Sequence, residues 1–264
     1  MIGPEPLGWR AVAPTEPDPP SRPGDLRPRV HRDVVSFVRR SSRMNTSQQR
    51  NWDAWHDRYV IDVRRGERDT SVHPDATVDW AATFGRVGPL VVEVGSGTGD
   101  SLIPMAAARP DHDVVAFEVF EPAVASTIGR LGREGVENVR IVMGDAVEGL
   151  THLFAPASIA EIWIFFPDPW HKLKHHKRRL VDAELARVAH RVVVPGGRLR
   201  LATDWADYAH AMRELLDAAP GWANDHPDDD GWAPRFAERP VTKYERRGLE
   251  AGRRVHDLTY RRLP

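Results

Sequence analysis

From Leu90 onward, short apolar segments rich in β-branched residues alternate with segments of helical length, and this alternation limits the folds open to the chain. The predicted strands are Leu90–Val94, Val114–Phe117, Val139–Met143, Ile159–Phe165 and Arg198–Thr203, and the predicted helices are Asp100–Ala108, Pro122–Leu131, Arg179–Val193 and Trp205–Ala218. Strands joined by helices form parallel βαβ units with right-handed crossovers. Wholly apolar strands are covered on both faces. We therefore expect an α/β fold with a doubly wound, Rossmann-like sheet.

The two ends of the chain differ from this region. The first 28 residues hold eight of the 22 prolines. Because proline fixes φ and removes a hydrogen-bond donor, we predict a disordered arm over residues 1–34, with an arginine-rich stretch beginning inside it, and one domain over residues 35–264. Pro195-Gly196-Gly197 predicts a break between a helix and the next strand. The alternating stretch Val255–Tyr260 predicts an antiparallel strand at the C-terminal edge of the sheet.

Composition excludes several classes of protein. The chain has no cysteine, so it has no disulfide, thiolate nucleophile or cysteine-ligated zinc. It lacks the apolar run of about 18 residues that a membrane helix needs, and its N-terminus lacks the apolar core of a secretory signal, so we expect a cytoplasmic protein with no membrane partner.

The formal net charge of -1 argues against binding nucleic acid through global charge. A local basic patch can still bind it, because phosphate contacts act within roughly 8–10 Å. We expect a monomer, since no long apolar stripe lies outside the inferred core.

A glycine-rich turn follows the first predicted strand, in Glu93-Val94-Gly95-Ser96-Gly97-Thr98-Gly99. We expect Gly95, Gly97 and Gly99 to let the backbone turn sharply and approach a ligand at the start of the next helix. The spacing differs from the G-x-G-x-x-G of dinucleotide folds, and no G-K-[ST] for a triphosphate follows. The turn alone does not identify the ligand.

Carboxylates stand at the ends of three successive predicted strands. Glu118 closes the second strand, where it can accept both hydroxyls of a ribose; Asp145 follows the third and can accept from an adenine amino group. Glu93 precedes the first glycine, and its charge favours a cationic ligand. Singly, each acid is more often a helix cap or a turn residue. Together they favour S-adenosylmethionine, which carries a sulfonium and an amino group, over NAD, which carries a pyrophosphate.

The fourth predicted strand leads into Phe165-Phe166-Pro167-Asp168-Pro169-Trp170, whose two prolines are expected to hold the Asp168 carboxylate over the cofactor site. A basic run, His171–Arg179, follows. Lysine and arginine at a helix N-terminus oppose the macrodipole at a cost of about 0.3–1 kcal/mol each, which an anionic partner would offset. His171 and His175 have a spacing compatible with zinc, but no carboxylate or cysteine completes a ligand set, so we expect no metal.

These motifs resemble those of the bacterial tRNA (guanine-N7)-methyltransferase family. The resemblance rests on the glycine turn, on the Pro-Asp-Pro-Trp element with its basic run, and on Thr242–Gly248, with a further match at Ser36–Arg40, Arg43 and Gln48. It implies an enzyme that moves a methyl group from S-adenosylmethionine to N7 of a variable-loop guanosine in tRNA, with no DNA partner. Lys174 stands where the family commonly has arginine.

The resemblance also implies roles for individual residues. Those implied at the cofactor are Glu93, Glu118, Asp145 and Asp168, of which Asp168 is the candidate catalytic residue. Those implied at the guanosine are Lys172, Asp204, Thr242, Lys243, Tyr244 and Glu245. Those implied at the RNA backbone are Lys174, His175, His176, Lys177, Arg178 and Arg179. Tyr244, or alternatively Trp170, is a candidate to stack on the guanine.

Three alternatives remain open at this point. The chain could be a methyltransferase for a small molecule or a protein, although the basic run argues against that. It could be an RNA-binding or assembly protein that retains a cofactor pocket, although the complete set of carboxylates argues for catalysis. An NAD oxidoreductase is the third alternative.

Overall fold

A computed structural model describes residues 43–228 and 230–264, and all of these residues belong to one compact unit. The strands are β1 (Val60–Ile61), β2 (Leu90–Val94), β3 (Asp113–Phe117), β4 (Val139–Val142), β5 (Ile159–Phe165), β6 (Val193–Thr203), β7 (Trp222–Asn224) and β8 (His256–Arg262). The helices are α1 (Thr46–Tyr59), α2 (Trp80–Phe84), α3 (Leu102–Ala107), α4 (Glu121–Glu134), α5 (Ala146–His152), α6 (Ala183–Val192), α7 (Ala206–Ala218) and α8 (Lys243–Glu250). The predicted arm over residues 1–34 and its boundary lie outside the described residues.

All eight strands form one sheet in the order β1-β4-β3-β2-β5-β6-β8-β7. The first six strands of this order pair in parallel, and β8 pairs antiparallel with both β6 and β7. The predicted α/β fold with a mostly parallel sheet and an antiparallel C-terminal end is confirmed. The predicted edge strand lies second from the edge, because the short β7 covers its outer side.

Alternate residues of the central strands face two separate hydrophobic clusters, which is what a doubly wound sheet requires. Val92 of β2 and Ile162 of β5 pack on the side that holds α5, α6 and α7. Val91 of β2 and Trp163 of β5 pack on the side that holds α3 and α4. Both faces of the sheet are therefore buried, so a ligand can approach only at the ends of the strands.

The Pro195-Gly196-Gly197 segment is a bulge inside β6 and not a break before it. Pairing with β5 passes from Ile159↔Val193 directly to Glu161↔Arg198, so the residues between them leave the ladder. Gly196 has a φ of +80°, and a Cβ on Gly197 would come within 2.6 Å of the Ala160 carbonyl oxygen. Two glycines are needed here because the backbone doubles back against a neighbouring strand.

The first helix, α1, was not predicted. Its N-terminus carries a capping box in which Asn45 and Gln48 exchange hydrogen bonds of 2.9 Å. It lies against α4 over two glycines, since a Cβ on Gly129 or Gly132 would clash with Asn51 or Trp55. Among the described helices, none combines the length and apolarity that a bilayer span requires.

Candidate active site

A cavity of about 540 Å³ opens at the carboxyl ends of the parallel strands, beside the central strand β2, where the chain order of the sheet reverses. This volume is typical of a small-molecule site, and the position is where open α/β sheets bind ligands. The predicted site residues that line it are Gly95, Gly97, Glu118, Asp145, Asp168, Asp204, Thr242 and Tyr244. Lining residues that were not predicted include Ser96, Thr98, His171, Trp205, Arg247 and Arg253.

The glycine turn after β2 forms the floor of this cavity. Gly95 and Gly97 have φ values of +77° and +56°, and a Cβ on either would meet no atom within 4 Å, so their α-carbons face open space. Gly99 does not line the cavity; a Cβ there would come within 2.8 Å of the Thr127 methyl group of α4. The missing side chains of Gly95 and Gly97 thus leave room for a ligand, whereas that of Gly99 allows α4 to pack closely against the turn.

Glu93 lies behind the turn and does not reach the cavity lining. It is 2% exposed, its Oε1 accepts a 2.6 Å hydrogen bond from Ser101 Oγ, and its Oε2 is buried with no hydrogen-bond partner. Burial raises the pKa of this carboxyl group to about 7; the Ser101 hydrogen bond opposes the shift, and the nearby Glu118 charge adds to it. A buried carboxylate with an unpartnered oxygen favours an approaching cation.

Glu118 shapes the turn from the end of β3. Its Oε2 accepts from the Gly97 amide at 2.8 Å, and its Oε1 accepts from the amides of Val119 and Phe120 at 2.8 and 2.9 Å. A carboxylate has about four acceptor positions, so Oε2 retains capacity for one further donor from the cavity.

Asp145 is both a helix cap and a wall of the cavity. Its Oδ1 accepts from the amides of Val147 and Glu148, which caps the N-terminus of α5. Asp145 can therefore cap the helix and bind a ligand at the same time, because Oδ1 accepts the capping hydrogen bonds and Oδ2 is left to accept from the ligand.

The loop after β5 places Asp168 at the cavity mouth. The residues on either side of Pro167-Asp168-Pro169 both have left-handed backbone, with φ of 53° at Phe166 and 46° at Trp170. Such conformations are costly for non-glycine residues and persist where surrounding contacts hold them. Asp168 itself is exposed and lines the cavity.

Arg179 supplies one of those contacts and is not part of the exposed basic surface. It is 7% exposed, its Nε donates to the Pro169 carbonyl oxygen at 3.0 Å, and its guanidinium bonds the Asp207 carboxylate and lies 4.7 Å above the Tyr208 ring. The expected backbone contact of Arg179 is therefore replaced by a structural one: it ties the Pro-Asp-Pro loop to α7.

The basic run forms a separate 3-10 helix, Leu173–Arg178, and α6 begins later, at Ala183, capped by Asp182. The predicted start of that helix at Arg179 was wrong. The macrodipole argument built on it fails, because the run does not open α6 and Lys177 and Arg178 lie in the last turn of the short helix, where cations are favoured. Lys172, Lys174 and Lys177 are exposed to solvent. Neither these three nor His175, His176 and Arg178 line the cavity; they flank it.

Trp170 is covered by the same run. The Arg178 guanidinium lies 4.1 Å above its ring, and the His175 ring meets its edge at 5.9 Å. Trp170 does not line the cavity, whereas Trp205 does, and its ring lies 4.0 Å from the His171 ring, centroid to centroid, at a tilt of 54°. Of the two predicted stacking candidates, the geometry favours Tyr244, which is 54% exposed and lines the cavity.

The segment that opens α8 closes the other side of the cavity. Thr242 caps the helix by accepting from the Glu245 amide at 3.2 Å, and Lys243 Nζ lies 3.2 Å from Thr98 Oγ1 in the glycine turn. Asp204, at the end of β6, accepts from Arg253 Nε at 2.7 Å, and both residues line the cavity.

Glu245 faces the protein interior. It is 2% exposed and accepts from Arg235 Nε at 2.8 Å and from Arg239 at 2.9 Å, and Arg239 in turn donates to both oxygens of Asp257. The guanidinium of Arg239 also lies near the Phe166 ring, at 5.1 Å. The expected guanosine contact of Glu245 is thus replaced by an ionic network that anchors α8 to β8 and to the loop after β5.

The chain is similar in sequence and in fold to known methyltransferases. A family model described as "Putative methyltransferase" matches residues 87–258. A tRNA (guanine-N(7)-)-methyltransferase from Cutibacterium acnes is 52% identical over 242 residues, covering 92% of this chain and 87% of that protein. One from Burkholderia cenocepacia is 44% identical over 239 residues, covering 90% and 88%. The solved structure of the 16S rRNA methyltransferase KamB, 18% identical, covers 77% of this chain and 100% of its own with a TM-score of 0.50, which shows a common fold.

Proposed function

This chain belongs to the tRNA (guanine-N7)-methyltransferase family, and we propose that it transfers the methyl group of S-adenosylmethionine to N7 of a variable-loop guanosine in tRNA. The observation that carries the proposal is the cavity itself, which has a floor of glycines, five carboxylates in its lining (Asp100, Glu118, Asp145, Asp168 and Asp204) and a basic helix beside it. This combination suits a cationic cofactor inside and an anionic polymer outside.

The residues of the cavity fit this cofactor. Gly95 and Gly97 leave room for it, Glu118 Oε2 and Asp145 Oδ2 have acceptor capacity for ribose and adenine, and the unpartnered Oε2 of Glu93 favours its positive charge. A nucleotide with a pyrophosphate would meet these same carboxylates unfavourably. When bound, S-adenosylmethionine supplies a methyl group on a positively charged sulfur.

The residues at the start of α8 and at the end of β6 would hold the guanosine. Tyr244 offers an exposed aromatic face for stacking, and Asp204, which is paired with Arg253, offers a carboxylate that can accept from the donor edge of guanine. Thr242 fixes the direction in which Tyr244 leaves the helix. A variable-loop base engaged in tertiary pairing must first be drawn out, at a cost of a few kcal/mol.

Catalysis in this site is mainly a matter of position. Guanine N7 carries an in-plane lone pair, so no protein group needs to remove a proton before it attacks. The protein must hold N7 and the methyl carbon within about 3–3.5 Å and in line with the leaving sulfur. Positive charge develops on the purine, and Asp168 at the cavity mouth would stabilise it electrostatically.

The exposed cations of the 3-10 helix would hold the RNA backbone. Lys174 and Lys177 are exposed, and phosphate contacts of this kind fix register without reading sequence. Lys172, which the resemblance implies at the guanosine, is exposed and does not line the cavity, so we assign it to the backbone with them. We also propose that the enzyme acts in the cytoplasm and is a monomer. The monomer is supported by the small number of exposed large apolar side chains among the described residues, which are Val87, Leu173, Val241, Tyr244, Leu249 and Leu263.

The proposal is tested by methyl transfer from labelled S-adenosylmethionine to unmodified tRNA, with the product mapped by chain cleavage at N7-methylguanine. A single cleavage in the variable loop is the expected result. Asp168→Ala should reduce the turnover rate at least 100-fold, as loss of an electrostatic stabiliser does, while tRNA affinity changes little. Transfer to another base, or equal loss of turnover and tRNA binding in the variant, contradicts the proposal.

A further inference from the structure

Helix α8 carries a second cationic surface that the site described so far does not use. After Thr242, the helix and the turn that follows it hold Arg246, Arg247 and Arg254, all exposed to solvent. Within the described part of the chain, these three guanidinium groups have no hydrogen bond or ion pair. By contrast, arginines such as Arg58 and Arg187 are matched by Glu137 and Glu184.

The opposite face of α8 packs against the protein interior. Thr242, Glu245 and Gly248 form a buried stripe at helical spacing. A Cβ on Gly248 would come within 2.6 Å of Asp204 Oδ2, so the helix backbone lies directly against the end of β6, and Glu245 is held by Arg235 and Arg239. Because one face is fixed in this way, the direction of the other face is fixed as well.

Part of that other face borders the cavity. Arg247 lines the cavity one helical turn after Tyr244, and Arg246 is the exposed residue before it. Asp168 and His171 also line the cavity, from the loop that leads into the basic 3-10 helix. Of the two acidic residues within α8, only Glu250 is exposed, since the Glu245 carboxylate points inward. Two cationic elements, α8 and the 3-10 helix, therefore lie next to a cavity whose lining contains acids.

From this arrangement we propose that Arg246 and Arg247 of α8 bind backbone phosphates of the tRNA, in addition to those bound by the 3-10 helix. The proposal rests on the proposed function, because it takes the cavity as the place where the guanosine enters. A strand whose central base enters the cavity carries phosphates on both sides of that base, and two separate cationic elements next to the cavity offer binding groups for both.

The test is the salt dependence of tRNA binding, measured by fluorescence anisotropy over a salt series. The double variant Arg246→Ala/Arg247→Ala should lower the slope of log K against log salt by about two, one for each lost phosphate contact, and weaken binding roughly tenfold near 0.1 M salt. Lysine at both positions should restore most of the slope, since each lysine keeps its charge. Arg187→Ala, on the exposed face of α6, is the matched control and should leave the slope unchanged.

The outcomes separate this inference from the proposed function. If the wild-type enzyme methylates tRNA and Lys177→Ala/Arg178→Ala lowers the slope while the α8 double variant does not, RNA does not cross α8 and the inference is overturned. If the wild-type protein binds tRNA with an α8-dependent slope but transfers no methyl group, the surface stands and the proposed function fails. Unchanged circular dichroism of the double variant, and unchanged affinity for S-adenosylhomocysteine, show that loss of binding is not loss of fold.

Discussion

Lys243 Nζ lies within hydrogen-bond distance, 3.2 Å, of Thr98 Oγ1, although the two residues are 145 positions apart in the chain. Lys243 also lies 4.0 Å from the Asp100 carboxylate, which Arg130 holds at 3.0 Å from the other side. Thr98 belongs to the glycine turn, and Lys243 belongs to the segment assigned to the guanosine. The two halves of the active site thus touch each other directly.

This contact predicts a modest coupling between the two halves. Lys243→Met should weaken binding of S-adenosylhomocysteine two- to threefold, a small effect because the side chain is half exposed and solvent screens the interaction. Thr98→Val should have a similar effect, and the double variant should lose less than the sum of the two. Calorimetric titration of the four proteins measures this, and strict additivity would show that the contact carries no coupling.

Glu93 predicts a pH dependence of stability. Its pKa of about 7 in the folded protein is above the ordinary value of 4.5. Its contribution to the free energy of unfolding is therefore fully present below pH 4.5 and is lost as the pH rises through 7. The full loss amounts to about 3 kcal/mol. Glu93→Gln does not titrate, so it should unfold at higher urea concentration than the wild type at pH 8 and at a similar concentration at pH 5. A difference that stays constant between pH 5 and pH 8 would be evidence that burial does not raise this pKa.

Glu245 should act on stability more than on substrate binding. Glu245→Gln leaves Arg239, which is fully buried, without one of its two charged partners, and the expected loss in unfolding free energy is about 3 kcal/mol. Urea unfolding measures it. Glu250→Gln, on the exposed side of the same helix, is the control and should stay within about 0.5 kcal/mol. Unchanged stability together with a raised KM for tRNA would instead place Glu245 at the guanosine.

Gly248 predicts a defect that is specific to tRNA. Alanine normally favours a helix over glycine by roughly 1 kcal/mol, but here its Cβ would press on Asp204 and move either that carboxylate or α8. Gly248→Ala should therefore raise the KM for tRNA severalfold and leave the affinity for S-adenosylhomocysteine unchanged. Steady-state methylation kinetics test this, with Glu214→Ala on the exposed face of α7 as a surface substitution that should have neither effect.

Local patterns in the sequence were sufficient to place the main strands of the sheet and the turns at their ends. The apolar runs of β2, β3 and β5 are buried on both faces, and glycine and carboxylate residues directly after such strands necessarily meet at one edge of the sheet. For that reason the cavity and the residues Glu118, Asp145 and Asp168 beside it could be anticipated. Helix α1 could not, because its surface is largely polar and its place depends on two glycines of α4.

The direction of charged side chains depended on partners that are distant in the chain. Arg179 and Glu245 stand in motifs that read as substrate-facing, yet Asp207 and Pro169 turn the first inward and Arg235 and Arg239 turn the second inward. A buried ion must be paired, and pairing is a property of the folded chain. In the same way, a role in RNA binding can be proposed for Arg246 and Arg247 only because the fold positions α8 beside the cavity.

The amino-acid sequence by itself determined the fold class, the strand-end site and the family, because periodicity, glycine turns and motif spacing act over a few residues. The tertiary structure decided which cations face solvent, which acids are anchors, and how the glycine turn meets the segment before α8. The physical reason is that burial and charge pairing are settled between residues up to 145 positions apart, and no local pattern encodes them.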